Sequence, residues 1–149
     1  MKIHLKIPLI IFGLLMMSGF HKESNNSVIL KVKVDELRNN KGVVQFALYN
    51  KVGSIPDENY EKYYKKKTVK IEKNTALVIF DDLKPDDYAV NILHDENENG
   101  KIDKGWVLPI EGIGFSNYKS IGLTNRPNFS NASFEVRKNK TVEVKVIYM

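Results

Sequence analysis

The sequence predicts an all-β chain: one antiparallel β-sandwich of about seven short strands, with one short helix or ordered loop near residues 54–66. Three observations carry this. Apolar and polar residues alternate with period two in segment after segment. Turn-forming Asn, Asp, Pro and Gly separate those segments. At 149 residues, 42% hydrophobic and 28% charged, the chain can build one core but not two ordinary domains. Half-apolar strands in that number bury their faces by stacking two sheets.

The chain opens with Lys2 and Lys6 around Ile3 to Leu5, an apolar run over residues 7–17, and then Ser18-Gly19. A basic start, a short apolar stretch and small residues after it read as a secretory signal. The run is 11 residues, whereas a bilayer crossing needs about 20. The expected organisation is a signal peptide over residues 1–20, one sandwich domain over 28–149, and no transmembrane segment in the mature chain. A buried first strand or a short membrane anchor are the competing readings. With no cysteine, the chain has no disulfide framework, thiolate zinc site, cysteine nucleophile or cysteine-borne lipid. Losing Lys2 and Lys6 with the leader takes the formal charge from +5 to +3. Basic and acidic residues are interleaved, so nucleic acid is not an expected partner. The one basic knot, Lys62, Lys65, Lys66 and Lys67 around Tyr63 and Tyr64, reads as a solvated helix end or loop.

The first strand is expected over residues 28–35, where Val28, Leu30, Val32 and Val34 share a face. Asn39-Asn40-Lys41-Gly42 is a turn composition, and the strand after it, 43–49, puts Val44, Phe46 and Leu48 on one face. The two are expected to pair as a hairpin. Residues 50–67 break the pattern; Ser54 reads as a helix cap with Asp57 three residues on. Strands follow over 68–72 and 75–81, the second apolar on both faces through Leu77, Val78, Ile79 and Phe80, which suggests a central position. Lys84-Pro85-Asp86-Asp87 turns the chain into a strand over 88–94. An irregular stretch, 95–130, precedes two closing strands over 132–136 and 141–148. A loop of that length in a small domain is functional or needs extra stabilisation.

That loop carries the most specific pattern in the chain, His94-Asp95-Glu96-Asn97-Glu98-Asn99-Gly100-Lys101-Ile102-Asp103, which fits D-x-N-x-N-G-x-x-D. Oxygen-bearing side chains at alternate positions converge when a loop curls tightly, and Gly100 permits the curl. Asp95, Asn97, Asn99 and Asp103 are the expected ligands, with the Lys101 carbonyl adding an oxygen and Glu111 closing the shell. Ile102 would pin the loop to the core, and His94 would end its strand and hydrogen-bond within the loop. Hard oxygen donors suit Ca²⁺. The EF-hand pattern is not met: its twelfth position, a bidentate Glu, is Trp106 here, and the preceding segment reads as a strand. With two or three carboxylates the affinity belongs to the weak extracellular range, about 10⁻⁴–10⁻³ M. A metal-free Asn-Gly turn held by its own side chains is the competing reading.

Beyond the motif, Trp106, Phe115 and Tyr118 are either a stacking platform for a ligand such as a sugar ring or aromatics that plug the loop into the core. Catalysis finds little support. Gly114-Phe115-Ser116-Asn117-Tyr118 lacks the last Gly of a nucleophile elbow, and His94 is the one histidine outside the first 21 residues.

Four stretches together resemble a known family. They are Leu83 with Tyr88-Ala89-Val90; His94-Asp95-x-Asn97-x-Asn99-Gly100-x-x-Asp103; Pro109-x-Glu111-Gly112-x-Gly114-Phe115-Ser116-Asn117; and Phe129-x-x-Ala132-x-Phe134. They are similar to the bacterial exported family called domain of unknown function 2141, and the likeness covers essentially the mature chain. It implies an exported β-sandwich and brings no activity. The run from Phe80 to Tyr88 is also similar to prealbumin-like and carboxypeptidase-regulatory-like sandwiches, where Gly usually stands in place of Asp87, and the expected sandwich is of the immunoglobulin- or prealbumin-like kind. The expectation is therefore a non-enzymatic module, periplasmic, outer-surface or secreted, with Ca²⁺ in its loop. It would serve in recognition or envelope structure, with a glycan or protein ligand as possible partner; oligomeric state is left open.

Overall fold

In a computed structural model, residues 26–106 and 109–149 are described; the expected signal peptide, residues 1–20, lies outside them. Eight strands and one short helix follow in order: β1 Val28–Val34, β2 Val43–Tyr49, β3 Lys65–Lys70, β4 Ala76–Leu83, β5 Asp86–Asp95, β6 Gly112–Phe115, α1 Phe129–Ala132, β7 Phe134–Val136 and β8 Lys140–Glu143. The strands form two sheets, β4-β1-β8 and β3-β2-β5-β6, with β7 paired to the start of β5. The sandwich is as expected. No helix among the described residues is long and apolar enough to cross a membrane.

The core between the sheets is made by one face of each. Leu30, Val32 and Val34 from β1 and Val78 and Phe80 from β4 meet Val44, Phe46 and Leu48 from β2 and Val90 and Ile92 from β5. β1 alternates strictly between buried and exposed residues, so the first sheet has one wet face. The second sheet is buried on both. Ala47, Tyr49, Ala89, Leu93, Ile113 and Phe115 form a second cluster on its outer face, under Ile55, Tyr60 and Tyr118 from the loops and Phe129 from α1. Full burial of each large apolar side chain contributes about 1.5–3 kcal/mol, so these loops are packed parts of the fold.

Several expectations change. Residues 28–35 and 43–49 do not form a hairpin: β1 pairs β4 and β8, β2 pairs β3 and β5, and the two lie in opposite sheets. Their connection crosses the end of the sandwich, with Leu37 inserted at 2% exposure and its N–H donated to the Asn74 carbonyl. β4 is an edge strand, not a central one; Leu77 and Ile79 are 49% and 42% exposed. The central strands with two buried faces are β2 and β5. β8 runs parallel to β1. The expected last strand is divided: residues 140–143 join the first sheet, and Ile147 bridges Ile113 in the second, so the C-terminal segment ties one sheet to the other.

Residues 54–64 form the ordered loop and no helix. Ser54 caps nothing helical; its hydroxyl donates to the Lys51 carbonyl at 2.6 Å. Asp57 organises the loop by accepting from the N–H groups of Glu61 and Lys62 and from the Tyr49 hydroxyl, at 2.8–3.0 Å. The helix falls at Phe129–Ala132, capped by the Asn128 side chain. The basic knot becomes the start of edge strand β3. There Lys65 and Lys67 donate across to the Asp81 and Ile79 carbonyls of β4 at 2.7 Å, closing that side of the sandwich. Lysine on an edge strand also discourages pairing with another chain.

Candidate functional site

β5 and β6 are neighbouring antiparallel strands, and residues 96–111 are the long loop between them. Asp95, the last residue of β5, is 2% exposed and faces the outer side of the second sheet. Its carboxylate accepts from the N–H groups of Asn99 at 3.1 Å and Gly100 at 2.7 Å. The curl is completed by left-handed backbone at Glu98, φ 60°, and Gly100, φ 73°. Asn97 Oδ1 accepts from the Asn99 N–H at 3.1 Å, and Asn99 Oδ1 from the Lys101 N–H at 2.8 Å. The two carboxamides then donate to Asp103, at 2.6 Å from Asn97 and 2.9 Å from Asn99. Asn97 and Asn99 therefore converge on Asp103, while Asp95 holds the main chain of the turn.

Glu111 fastens both ends of the loop. It is 4% exposed and accepts from the Glu96 N–H at 2.9 Å and the Asp103 N–H at 3.2 Å. Burial raises its pKa above the ordinary carboxylate range; those two N–H groups oppose the shift, and the nearby charges of Asp95 and Asp103 add to it. Glu111 thus feels two neighbouring carboxylates within a partly dry loop. Lys101 is exposed, and Ile102 is half-buried against the outer-face cluster as expected. Among the described residues, no three His, Asp or Glu side chains are grouped so as to hold a metal ion. The oxygen set here depends on two carboxamides besides its acids.

His94 departs from expectation. It is fully buried, and its bonds run away from the loop, Nδ1 to the Tyr148 hydroxyl at 2.7 Å and Nε2 to the Lys41 carbonyl at 2.9 Å. The pairing Val44↔His94 puts its ring on the inner face of β5, opposite to Asp95. Ser116 is also taken up by the main chain: its hydroxyl donates to the Ala132 carbonyl at 2.6 Å and accepts from the Val90 N–H at 2.9 Å.

The aromatics separate. Trp106 is fully exposed, whereas Phe115 and Tyr118 are buried at 6% each and meet edge to face at 6.1 Å. The Tyr118 hydroxyl donates to the Arg126 carbonyl and accepts from the Asn128 N–H, both at 3.2 Å, which staples the following loop. The three rings form no shared platform.

Two groups escaped the sequence reading. Arg38 and Asn39 lie in the arch between β1 and β2. Arg38 Nε donates to Glu96 at 2.5 Å, its terminal nitrogen to the Ile110 carbonyl at 3.2 Å, and its guanidinium stacks 4.6 Å from the Tyr148 ring. Asn39 donates to the same Glu96 oxygen at 3.1 Å. The Arg38 guanidinium holds the Glu96 carboxyl below the usual range. Gln45 and Asn91, polar residues inside apolar strands, were the visible signal of the second group. Both are buried, and Asn91 borders a pocket of about 400 Å³ on the outer face, to which Ile102, Ile113 and Phe115 also contribute.

A family described as an uncharacterized protein conserved in bacteria has a model that matches residues 32–145. No curated protein and no solved structure matches the chain.

Proposed function

The chain belongs to the domain of unknown function 2141 family, and from that premise we propose that it is an exported, non-catalytic module of the bacterial envelope whose 96–111 loop takes up Ca²⁺. The observation that carries this is the convergence of Asn97 and Asn99 on Asp103 beside a Gly100 turn that the Asp95 carboxylate holds, with buried Glu111 accepting from the Glu96 and Asp103 N–H groups. A cation supplied there relieves the repulsion that Asp95 and Asp103 exert on Glu111 and lets Asn97 and Asn99 turn their oxygens inward. Hard carboxylate and amide oxygens select Ca²⁺ over softer metals. The basic and apolar pattern of the first twenty residues supports export. The absorption of Ser116 and His94 into structural hydrogen bonds supports a non-catalytic role. Trp106, which projects whole into solvent on the same loop, supports recognition of a glycan or protein over a purely structural part.

Thermal unfolding in about 10 mM CaCl₂ and in chelator tests the reading. With a dissociation constant near 1 mM, mass action adds about 1.4 kcal/mol, or about 3–6 °C in Tm. Asp95→Ala should cancel that increment while leaving a folded domain. Superimposable melts in the two conditions contradict the proposal.

A further inference from the structure

The loop of residues 96–111 leaves β5 at Glu96 and returns to β6 after Glu111, and two side chains fasten its neck. From within, Glu111 accepts from the Glu96 and Asp103 N–H groups. The second fastening comes from a part of the chain remote in sequence, the β1–β2 arch. There the Arg38 guanidinium donates Nε to the Glu96 carboxylate at 2.5 Å and a terminal nitrogen to the Ile110 carbonyl at 3.2 Å, so it joins the loop's first residue to its last but one. Asn39 adds a bond to the same Glu96 oxygen at 3.1 Å. The Arg38 and Glu96 side chains are 37% and 21% exposed, so the pair is partly sheltered from water. Arg38 is itself held in place. Its guanidinium lies 4.6 Å from the Tyr148 ring, its N–H donates to the Tyr148 hydroxyl at 3.2 Å, and that hydroxyl bonds His94 at 2.7 Å.

We propose that Arg38 is a positioning residue for the cation: by closing the neck of the 96–111 loop before the ion arrives, it sets the affinity for Ca²⁺ without touching the ion. This rests on the calcium reading and names what governs that same site. Ligands on an open loop must be gathered as the ion binds, and the cost of ordering them is subtracted from the affinity. The apparent affinity scales with the fraction of chains whose loop is already competent. Arginine suits the task because its planar fork reaches two acceptors at once, whereas a lysine is a point charge on a flexible stem. Charge and geometry make opposite demands here. The guanidinium is within electrostatic reach of Glu111 as well as Glu96, so as a bare positive charge it opposes a cation in the loop. Removing it tightens binding if charge decides, and weakens binding if the closed neck decides.

The test is calorimetric titration with CaCl₂, well below the melting temperature, of the wild-type, Arg38→Ala, Arg38→Lys and Lys104→Ala chains. Arg38→Ala and Arg38→Lys should each weaken binding about tenfold. Lys104→Ala removes a cation of the same loop that pairs with Glu58 away from the neck, and should not weaken it. In the calcium-free Arg38 variants, amide exchange should quicken at Glu96 and Asp103, whose N–H groups bond Glu111, and stay unchanged at Ile92 within β5. A residue that merely steadied the sandwich would lower the unfolding midpoint and leave both the dissociation constant and the exchange at the neck as in the wild type. Unchanged or tighter binding by Arg38→Ala, wild-type binding or neck exchange in Arg38→Lys, or an equal loss in Lys104→Ala overturns this proposal alone. No saturable heat from the wild-type chain overturns the calcium reading and this proposal with it.

Discussion

Nδ1 of His94 lies 2.7 Å from the hydroxyl of Tyr148, and this contact joins the C-terminal segment to the base of the long loop. The Lys41 carbonyl can only accept, so Nε2 carries the proton and Nδ1 accepts from Tyr148. The same hydroxyl accepts from the Arg38 N–H at 3.2 Å. Tyr148→Phe removes one oxygen and leaves two groups unpaired, one of them fully buried. The expected cost is about 1–3 kcal/mol. Urea unfolding measures it, and an unchanged midpoint would show that water replaces the hydroxyl.

Gly42 sits where the β1–β2 arch touches the start of the site loop. Its φ is +68°, and a Cβ there would strike the Asp95 carbonyl and lie 2.7 Å from Glu96 Cα. Backbone cannot yield as a side-chain tip can. Gly42→Ala should lose at least about 1–3 kcal/mol and shift the amide resonances of Asp95 to Gly100. By contrast, a Cβ at Gly100 meets nothing within 4 Å, so Gly100→Ala should cost only the strain of its φ of +73°, on the order of 1 kcal/mol. Equal losses at the two sites would contradict the packing.

Two carboxylates of the loop titrate in opposite senses. Burial raises the folded pKa of Glu111, so its contribution to stability is present in acid and lost as pH rises from the ordinary carboxylate range through the raised value. Glu111→Gln should flatten that decline. The Arg38 hydrogen bond lowers the pKa of Glu96, so its contribution is present above the ordinary range and lost as pH falls through the lowered value. Arg38→Ala should reduce that acid-side loss, leaving the smaller part that Asn39 and His94 supply, at a cost near neutral pH of about 0.5–2 kcal/mol from the ion pair and the stacking on Tyr148. Stability followed by denaturant midpoints across pH 3–7 separates the two, in the range where carboxylates titrate.

Strand identity was legible wherever one face alone is buried, as in Val28 to Val34, because period two is a direct image of the pleat. Pairing was not. Residues 28–35 and 43–49 are neighbours along the chain, yet Leu37 and the positive φ of Glu36 carry the connection across the sandwich, and nothing in their alternation distinguishes a hairpin from an arch. β4 misled because Leu77 and Ile79 are apolar but exposed, whereas Gln45 and Asn91 look like solvent-facing residues and are buried. At the site, the D-x-N-x-N-G-x-x-D spacing makes a tight curl legible: Asn97 and Asn99 reach Asp103, and the Asp95 carboxylate holds the main chain at Asn99 and Gly100. The clamp by Arg38 and the inward turn of His94 depend on long-range register, which local spacing does not encode.

The proposed uptake of Ca²⁺ by the 96–111 loop is tested most directly by calorimetric titration of the protein with CaCl₂, set beside Asp103→Asn. That substitution keeps the size of the hub toward which Asn97 and Asn99 turn and removes its charge. A saturable heat with a dissociation constant of about 10⁻⁴–10⁻³ M, abolished or weakened at least about tenfold by Asp103→Asn, is the predicted result. Heats no larger than dilution, or identical isotherms for the two chains, would contradict it.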